Sequence, residues 1–209
     1  MHRLQFITHS TPRYDYLTGA ELALRGGCRW IQLRMKDATK EQMIPVAQKV
    51  KELCKHYGAK FIIDDNVELV PHVGADGVHL GKNDMPVVEA RKILGNEKII
   101  GATANTLEDV ISGFRSGADY IGCGPFRFTR TKQNLSPIIG LDGYRSIMQE
   151  ARSMGVTIPI VAIGGIGKDD VPDILQTGID GIALSGSVLN AADPIQEMQE
   201  IVDILSGAR

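Results

Sequence analysis

Eight short apolar runs punctuate the chain: Leu4–Thr8, Trp30–Met35, Phe61–Ile63, Gly77–Leu80, Ile99–Ala102, Tyr120–Cys123, Ile158–Ile163 and Gly181–Leu184. Most are continuous rather than alternating, the pattern of parallel strands covered on both faces. The segments between them are polar with helical period. Within Thr39–Tyr57, Met43, Ile44, Ala47, Val50, Leu53 and Cys54 recur at the spacing of one helix face. Thr39 with Gln42 predicts a capping box, and Pro45 is expected to distort the early turns. Thr106 predicts the N-cap of a helix over Thr106–Ser116. A helix over Leu141–Met154 would end at Gly155, and Pro86 suits the first position of one over Val87–Leu94.

Eight strands alternating with helices in 209 residues point to an α/β fold, a (β/α)₈ TIM barrel at the small end of its range. A doubly wound open sheet is the rival, with fewer strands and no closure. No linker, low-complexity tract or charge block divides the chain, so a single domain over residues 1–209 is expected.

Charge and composition narrow the function. The 23 Lys and Arg against 25 Asp and Glu give a net charge of −2, without the basic excess that binds nucleic acid. No apolar run approaches the roughly 18 residues that span a bilayer. Nothing at the N-terminus has signal-peptide length, and Cys28, Cys54 and Cys123 are scattered without CxxC spacing. Free thiols of that kind fit a reducing, cytoplasmic setting. The oligomeric state stays open, a homo-oligomer included. Glycine supplies 23 of 209 residues, about 11% against a usual ~7%, and most glycines flank apolar runs. That placement fits strand-end loops that approach a ligand closely.

In a barrel, catalytic groups belong at the C-terminal ends of strands. Strand two would end in Gln32-Leu33-Arg34-Met35-Lys36, with Gln32, Arg34 and Lys36 on one face by the two-residue period, an amide and two cations suited to an anionic ligand. Charges at a strand end emerging into solvent would look the same. Asp64-Asp65-Asn66 ends strand three and Asp84 follows strand four. Neighbouring parallel strands lie about 5 Å apart, so these carboxylates can converge on Mg²⁺. Helix capping is the slightly plainer account of the same residues.

Past strand six, Thr129 and Thr131 place two hydroxyls at i and i+2 before Lys132, a phosphate-friendly arrangement in a loop long enough to act as a flap. A solvated basic loop explains it equally well. Gly164-Gly165-Ile166-Gly167 and Ser185-Gly186-Ser187 follow strands seven and eight, where many barrels bind phosphate on backbone amides. Gly164–Asp170 is no Walker A loop, because Ala162 stands where its first glycine belongs and Asp169 follows Lys168. Gly122-Cys123-Gly124 lacks the third glycine of a dinucleotide fingerprint. The five histidines, His2, His9, His56, His72 and His79, show no ligand spacing, and His79 reads as packed or hydrogen-bonded.

Taken together, Gln32-Leu33-Arg34-Met35-Lys36, Asp64-Asp65, Gly77-Val78-His79-Leu80-Gly81 running to Asp84, Gly101-Ala102-Thr103, Gly124-Pro125 leading to Thr129–Lys132, Ile163-Gly164-Gly165-Ile166 and Asp180–Ser187 resemble the thiamine-phosphate synthase family. The resemblance covers about Trp30 to Leu189 with the motifs in order. It implies the barrel fold and a Mg²⁺-dependent transfer of hydroxymethylpyrimidine from its diphosphate to the ring nitrogen of a thiazole phosphate, with release of pyrophosphate. By resemblance, Gln32, Arg34, Lys36, Asp64, Thr103 and Lys132 would face the pyrimidine diphosphate, with Arg34, Lys36 and Lys132 catalytic. Asp65 and Asp84 would hold Mg²⁺, while Thr129, Thr131, Gly165, Ser185 and Gly186 would bind the thiazole phosphate. Two positions depart from the pattern: Asp64 stands where the family commonly has Asn, and Thr103 where it commonly has Ser. The related thiazole tautomerase would need an acid/base residue instead of a metal pair. A non-catalytic phosphate-ligand sensor would need the binding loops alone.

Overall fold

The computed structural model describes residues 2–128 and 137–207. Strands and helices alternate as β1 (Leu4–Ile7), α1 (Tyr16–Arg25), β2 (Trp30–Leu33), α2 (Lys40–His56), β3 (Lys60–Asp64), α3 (Leu69–Val73), β4 (Gly77–Leu80) and α4 (Val87–Leu94). They continue as β5 (Ile99–Ala104), α5 (Leu107–Arg115), β6 (Tyr120–Cys123), α6 (Gly140–Ser153), β7 (Ile160–Ile163), α7 (Val171–Gln176), β8 (Gly181–Leu184), α8 (Gly186–Leu189) and α9 (Pro194–Gly207). Each strand pairs in parallel with its sequence neighbours, and β8 pairs with β1, closing the barrel. Closure excludes the open sheet.

Every predicted run holds a strand; Gly77–Leu80, Tyr120–Cys123 and Gly181–Leu184 match to the residue, and the others differ at one or both ends. β2 stops at Leu33 rather than Met35, because the Arg34 N–H donates to the Thr8 side chain at 3.1 Å instead of to a neighbouring strand. β5 runs on to Ala104, paired with Cys123. Both Thr39 and Thr106 close capping boxes, with Gln42 and Asp109 respectively. Pro45 leaves α2 unbroken: it lies on the exposed face near the N-terminus, where solvent can serve the carbonyl its missing N–H abandons. Pro86 stands one residue before α4.

The two-residue period separates two cores. Ile7, Trp30, Ile62, Tyr120, Val161 and Ala183 fill the barrel, with the Trp30 and Tyr120 rings edge-on at 4.7 Å. Alternate strand residues such as Phe6, Ile31, Ile63, Ile100 and Ile121 pack under the helices. Each such side chain, fully buried, contributes about 1.5–3 kcal/mol.

The N-terminal end of the barrel repeats one device. Asp76, Asp119 and Asp180, just before β4, β6 and β8, accept from the amides of Phe61 (2.8 Å), Ile100 (2.7 Å) and Ile160 (2.7 Å) on the preceding strands. Lys51, Arg91 and Arg152 pair with the same carboxylates at 3.4, 2.7 and 2.6 Å. Those carboxylates secure strand starts, leaving the opposite rim for chemistry. Among the described residues no helix is long and apolar enough to cross a membrane.

Candidate active site

Gln32 and Asp64 end neighbouring strands with inward-facing side chains and are both buried. Gln32 Nε2 donates to Asp64 Oδ1 at 2.5 Å, and Arg34 Nε lies 3.2 Å from Asp64 Oδ2. Gln32 Oε1 is buried without a hydrogen-bond partner among the described residues, which leaves an acceptor available to a bound molecule.

The chain then turns sharply. Asp65 has φ 62°, the left-handed conformation that non-glycine residues seldom adopt, and its N–H donates to the His79 carbonyl at 2.8 Å. The turn sets its carboxyl at the β3 and β4 ends, near enough to Asp84 for the two to interact. Burial, with the neighbouring charges of Asp64 and Asp84, pushes the Asp65 carboxyl up to about 8, while Arg34 works the other way. Asp84 Oδ2 accepts from the Gly81 N–H at 2.6 Å, and a Cβ on residue 81 would sit 2.8 Å from that oxygen, so a side chain there would push the Asp84 carboxyl aside.

None of these residues caps a helix. α3 is preceded by Glu68 and α4 by Pro86, neither end with a side-chain cap, which corrects the capping expectation for Asp64, Asp65, Asn66 and Asp84. Local sequence could not separate the two roles, because capping residues and metal-ligating carboxylates are the same residue types. Carboxylates that repel one another at a barrel rim fit a divalent cation, whose charge would relieve the repulsion. Among the described residues no group of three or more metal-ligating side chains forms, and Asp65 and Asp84 contribute two carboxylates to this rim.

Beneath this rim runs a buried polar row. Gln5 Nε2 donates to the Tyr120 hydroxyl at 3.2 Å, which lies 2.9 Å from His79 Nδ1, and His79 Nε2 lies 2.9 Å from Thr103 Oγ1. His79 is therefore hydrogen-bonded inside the barrel, as its alternation implied. The row fixes the Thr103 hydroxyl at the mouth. Burial raises the Tyr120 phenol, so it stays protonated.

On the other side of the mouth, the turns after β7 and β8 border a cavity of about 420 Å³. Gly164 and Gly165 both have positive φ, 97° and 73°, which lets the backbone double back there. Gly165, Ser185 and Gly186 line this cavity together with His9, Arg127, Ser187 and Arg34. Arg34 thus touches both halves of the site. Ser185 Oγ donates to the Ile7 carbonyl at 2.6 Å and lies 2.7 Å from His9 Nδ1. Ser187 Oγ is buried without a partner among the described residues, and Arg127 pairs with Asp170 at 2.6 Å.

The structure brings Gln32, Arg34, Asp64, Asp65, Asp84 and Thr103 to one arc of the rim and Gly165, Ser185 and Gly186 to the other. Lys36 is not placed by the strand: β2 ends three residues earlier, so the alternation does not reach it, and its side chain is exposed. Thr129, Thr131 and Lys132 lie outside the described residues. Sequence reasoning missed His9, Arg127 and Ser187 as site residues. His9 follows the end of β1 by two residues, a strand-end position of the kind that carries barrel chemistry, whereas histidine spacing alone gives no signal for it.

Residues 4–188 match the family model described as thiamine monophosphate synthase. The chain belongs to the thiamine monophosphate synthase family. A relative named thiamine-phosphate synthase from Phocaeicola vulgatus is 59% identical over 201 residues, covering 96% of this chain and 97% of its own. Another of that name from Bacteroides fragilis is 56% identical over 204 residues, covering 98% and 100%. Among solved structures, a thiamine phosphate pyrophosphorylase from Pyrococcus furiosus is 36% identical with a TM-score of 0.88, covering 99% of this chain and 96% of that one. The thiamine monophosphate synthase match spans both arcs of the rim and the positions of Thr129, Thr131 and Lys132.

Proposed function

We propose that the protein is a thiamine-phosphate synthase, a cytoplasmic single-domain transferase that joins hydroxymethylpyrimidine diphosphate to a thiazole phosphate and releases pyrophosphate. The meeting of Asp65 and Asp84 beside Arg34, across one mouth from the glycine turns, supports this reading most. A coupling enzyme needs two anion sites facing one reacting carbon, and a tautomerase needs only one.

Asp65 and Asp84 would hold Mg²⁺. Bound there, the ion would supply positive charge to the diphosphate. The bond between the pyrimidine CH₂ and the diphosphate oxygen breaks with its electron pair leaving on pyrophosphate. The ring-nitrogen lone pair of the thiazole then forms the new C–N bond, and no proton need move. Arg34, Lys36 and Lys132 oppose the charge that grows on the leaving group, each well-placed donor being worth on the order of 3 kcal/mol. Gln32, Asp64 and Thr103 orient the pyrimidine. Thr129, Thr131, Gly165, Ser185 and Gly186 hold the thiazole phosphate within reach of the carbon, an advantage of positioning.

Purified protein supplied with both substrates and Mg²⁺ should yield thiamine phosphate, read as fluorescent thiochrome after oxidation. No product under those conditions would leave the tautomerase or the sensor standing.

A further inference from the structure

His9 has no role in the chemistry proposed for the site. It follows β1, lines the cavity bordered by Gly165 and Ser185, and is half-buried. Its Nδ1 lies 2.7 Å from Ser185 Oγ. That hydroxyl has a single proton and gives it to the Ile7 carbonyl, which can only accept. Ser185 must therefore accept from His9, so Nδ1 carries hydrogen and Nε2 is the nitrogen left for another partner. Among the described residues Nε2 has none. A Cβ on Gly186 would come within 3.7 Å of the His9 ring, so the absence of a side chain there leaves the ring beside the cavity wall.

The geometry points to His9 as a further contact for the thiazole phosphate, tethered by Ser185 and sharing one proton between Nε2 and a phosphate oxygen. The inference rests on the assignment of this cavity to the thiazole phosphate. The charged groups around the ring are Arg34 from the end of β2 and Arg127 from the loop after β6, the latter paired with Asp170. Burial and Arg34 hold the free His9 below its ordinary value, so the ring is neutral near pH 7.5. A phosphate monoester, with its second pKa about 6, is then a dianion. Neutral Nε2 and dianion both lack the proton that would join them, so binding must draw one from solvent. The two arginines make the cavity attractive to the dianion, and the dianion in turn restores the basicity that burial and Arg34 suppress.

Calorimetric titration of thiazole phosphate at pH 7.5, in buffers of different ionisation enthalpy, reads that proton directly. Wild type should take up as much as one proton on binding. His9→Gln should abolish the uptake and weaken binding about tenfold, the size of one charge-assisted hydrogen bond. His9→Gln should leave the affinity for pyrimidine diphosphate unchanged. If wild type binds thiazole phosphate with no uptake, or His9→Gln keeps it, the role of His9 is overturned while the cavity assignment survives. If wild type does not bind thiazole phosphate, the cavity assignment falls first. Should His9→Gln fail to fold, the wild-type uptake and the movement of the His9 ring-proton NMR signal on ligand addition still decide the matter.

Discussion

Arg34 Nε stands 3.2 Å from Asp64 Oδ2, so the cation at the end of β2 is pinned by the carboxylate at the end of β3. The same carboxylate receives Gln32 at 2.5 Å. Asp64 thus aligns two residues assigned to the pyrimidine diphosphate, at a position where family resemblance leads one to expect Asn. An Asn could accept from one of them through its carbonyl oxygen but would turn an NH₂ toward the other. Its carboxylate is retained here, on this reading, as an organiser of Arg34. Asp64→Ala should lower kcat/KM for the pyrimidine diphosphate about 10- to 100-fold, and Asp64→Asn less, measured by steady-state kinetics. A change below twofold for Asp64→Ala would show that Arg34 needs no tether.

Asp65 makes stability depend on pH. Below its ordinary value near 3.8 both folded and unfolded chains hold the proton, and the group costs nothing. Between there and about 8 the folded chain keeps a proton that the unfolded chain has lost, so metal-free stability declines as pH rises, with the full cost present above 8. Asp65→Asn should remove this cost and raise the metal-free Tm at pH 8 by about 2–4 °C, a value discounted for solvent screening, while abolishing coupling. Thermal melts at pH 5 and pH 8 check the sign; a lower Tm for the variant at pH 8 would contradict it.

Lys132 is assigned to the diphosphate rather than to the thiazole phosphate. Lys132→Ala should therefore reduce turnover far more than thiazole-phosphate binding. Kinetics set beside equilibrium binding separate the two, and a loss confined to thiazole affinity would move Lys132 to the other anion.

The row beneath the mouth is expected to matter for stability. Tyr120→Phe deletes the hydroxyl that Gln5 and His79 share in the barrel interior, at a cost of about 1–3 kcal/mol by urea denaturation. An unchanged midpoint would mean that the row is held from elsewhere.

The barrel was legible because each strand is a buried apolar run and each run is followed by turn chemistry. Its strand ends were less so: Met35 lengthens the apolar run after Leu33 although it packs against the core from a loop, and that misplaced Lys36 onto the strand. Asp65 and Asp84 were legible as residue types at strand ends, but their contact depends on a left-handed turn at a non-glycine residue, which no local pattern signals. The His9 pairing joins residues 176 apart in sequence, and only closure of β8 onto β1 brings them together.

The claim that two acidic strand ends and nearby cations expel pyrophosphate is tested most directly by titrating Mg²⁺ while pyrophosphate and thiamine phosphate are measured together. Equal amounts of both products are expected, only with both substrates present, and Asp84→Asn should need about tenfold more Mg²⁺ or greater while remaining folded. Pyrophosphate release without thiamine phosphate, or a folded Asp84→Asn variant with unaltered Mg²⁺ dependence, would contradict the account.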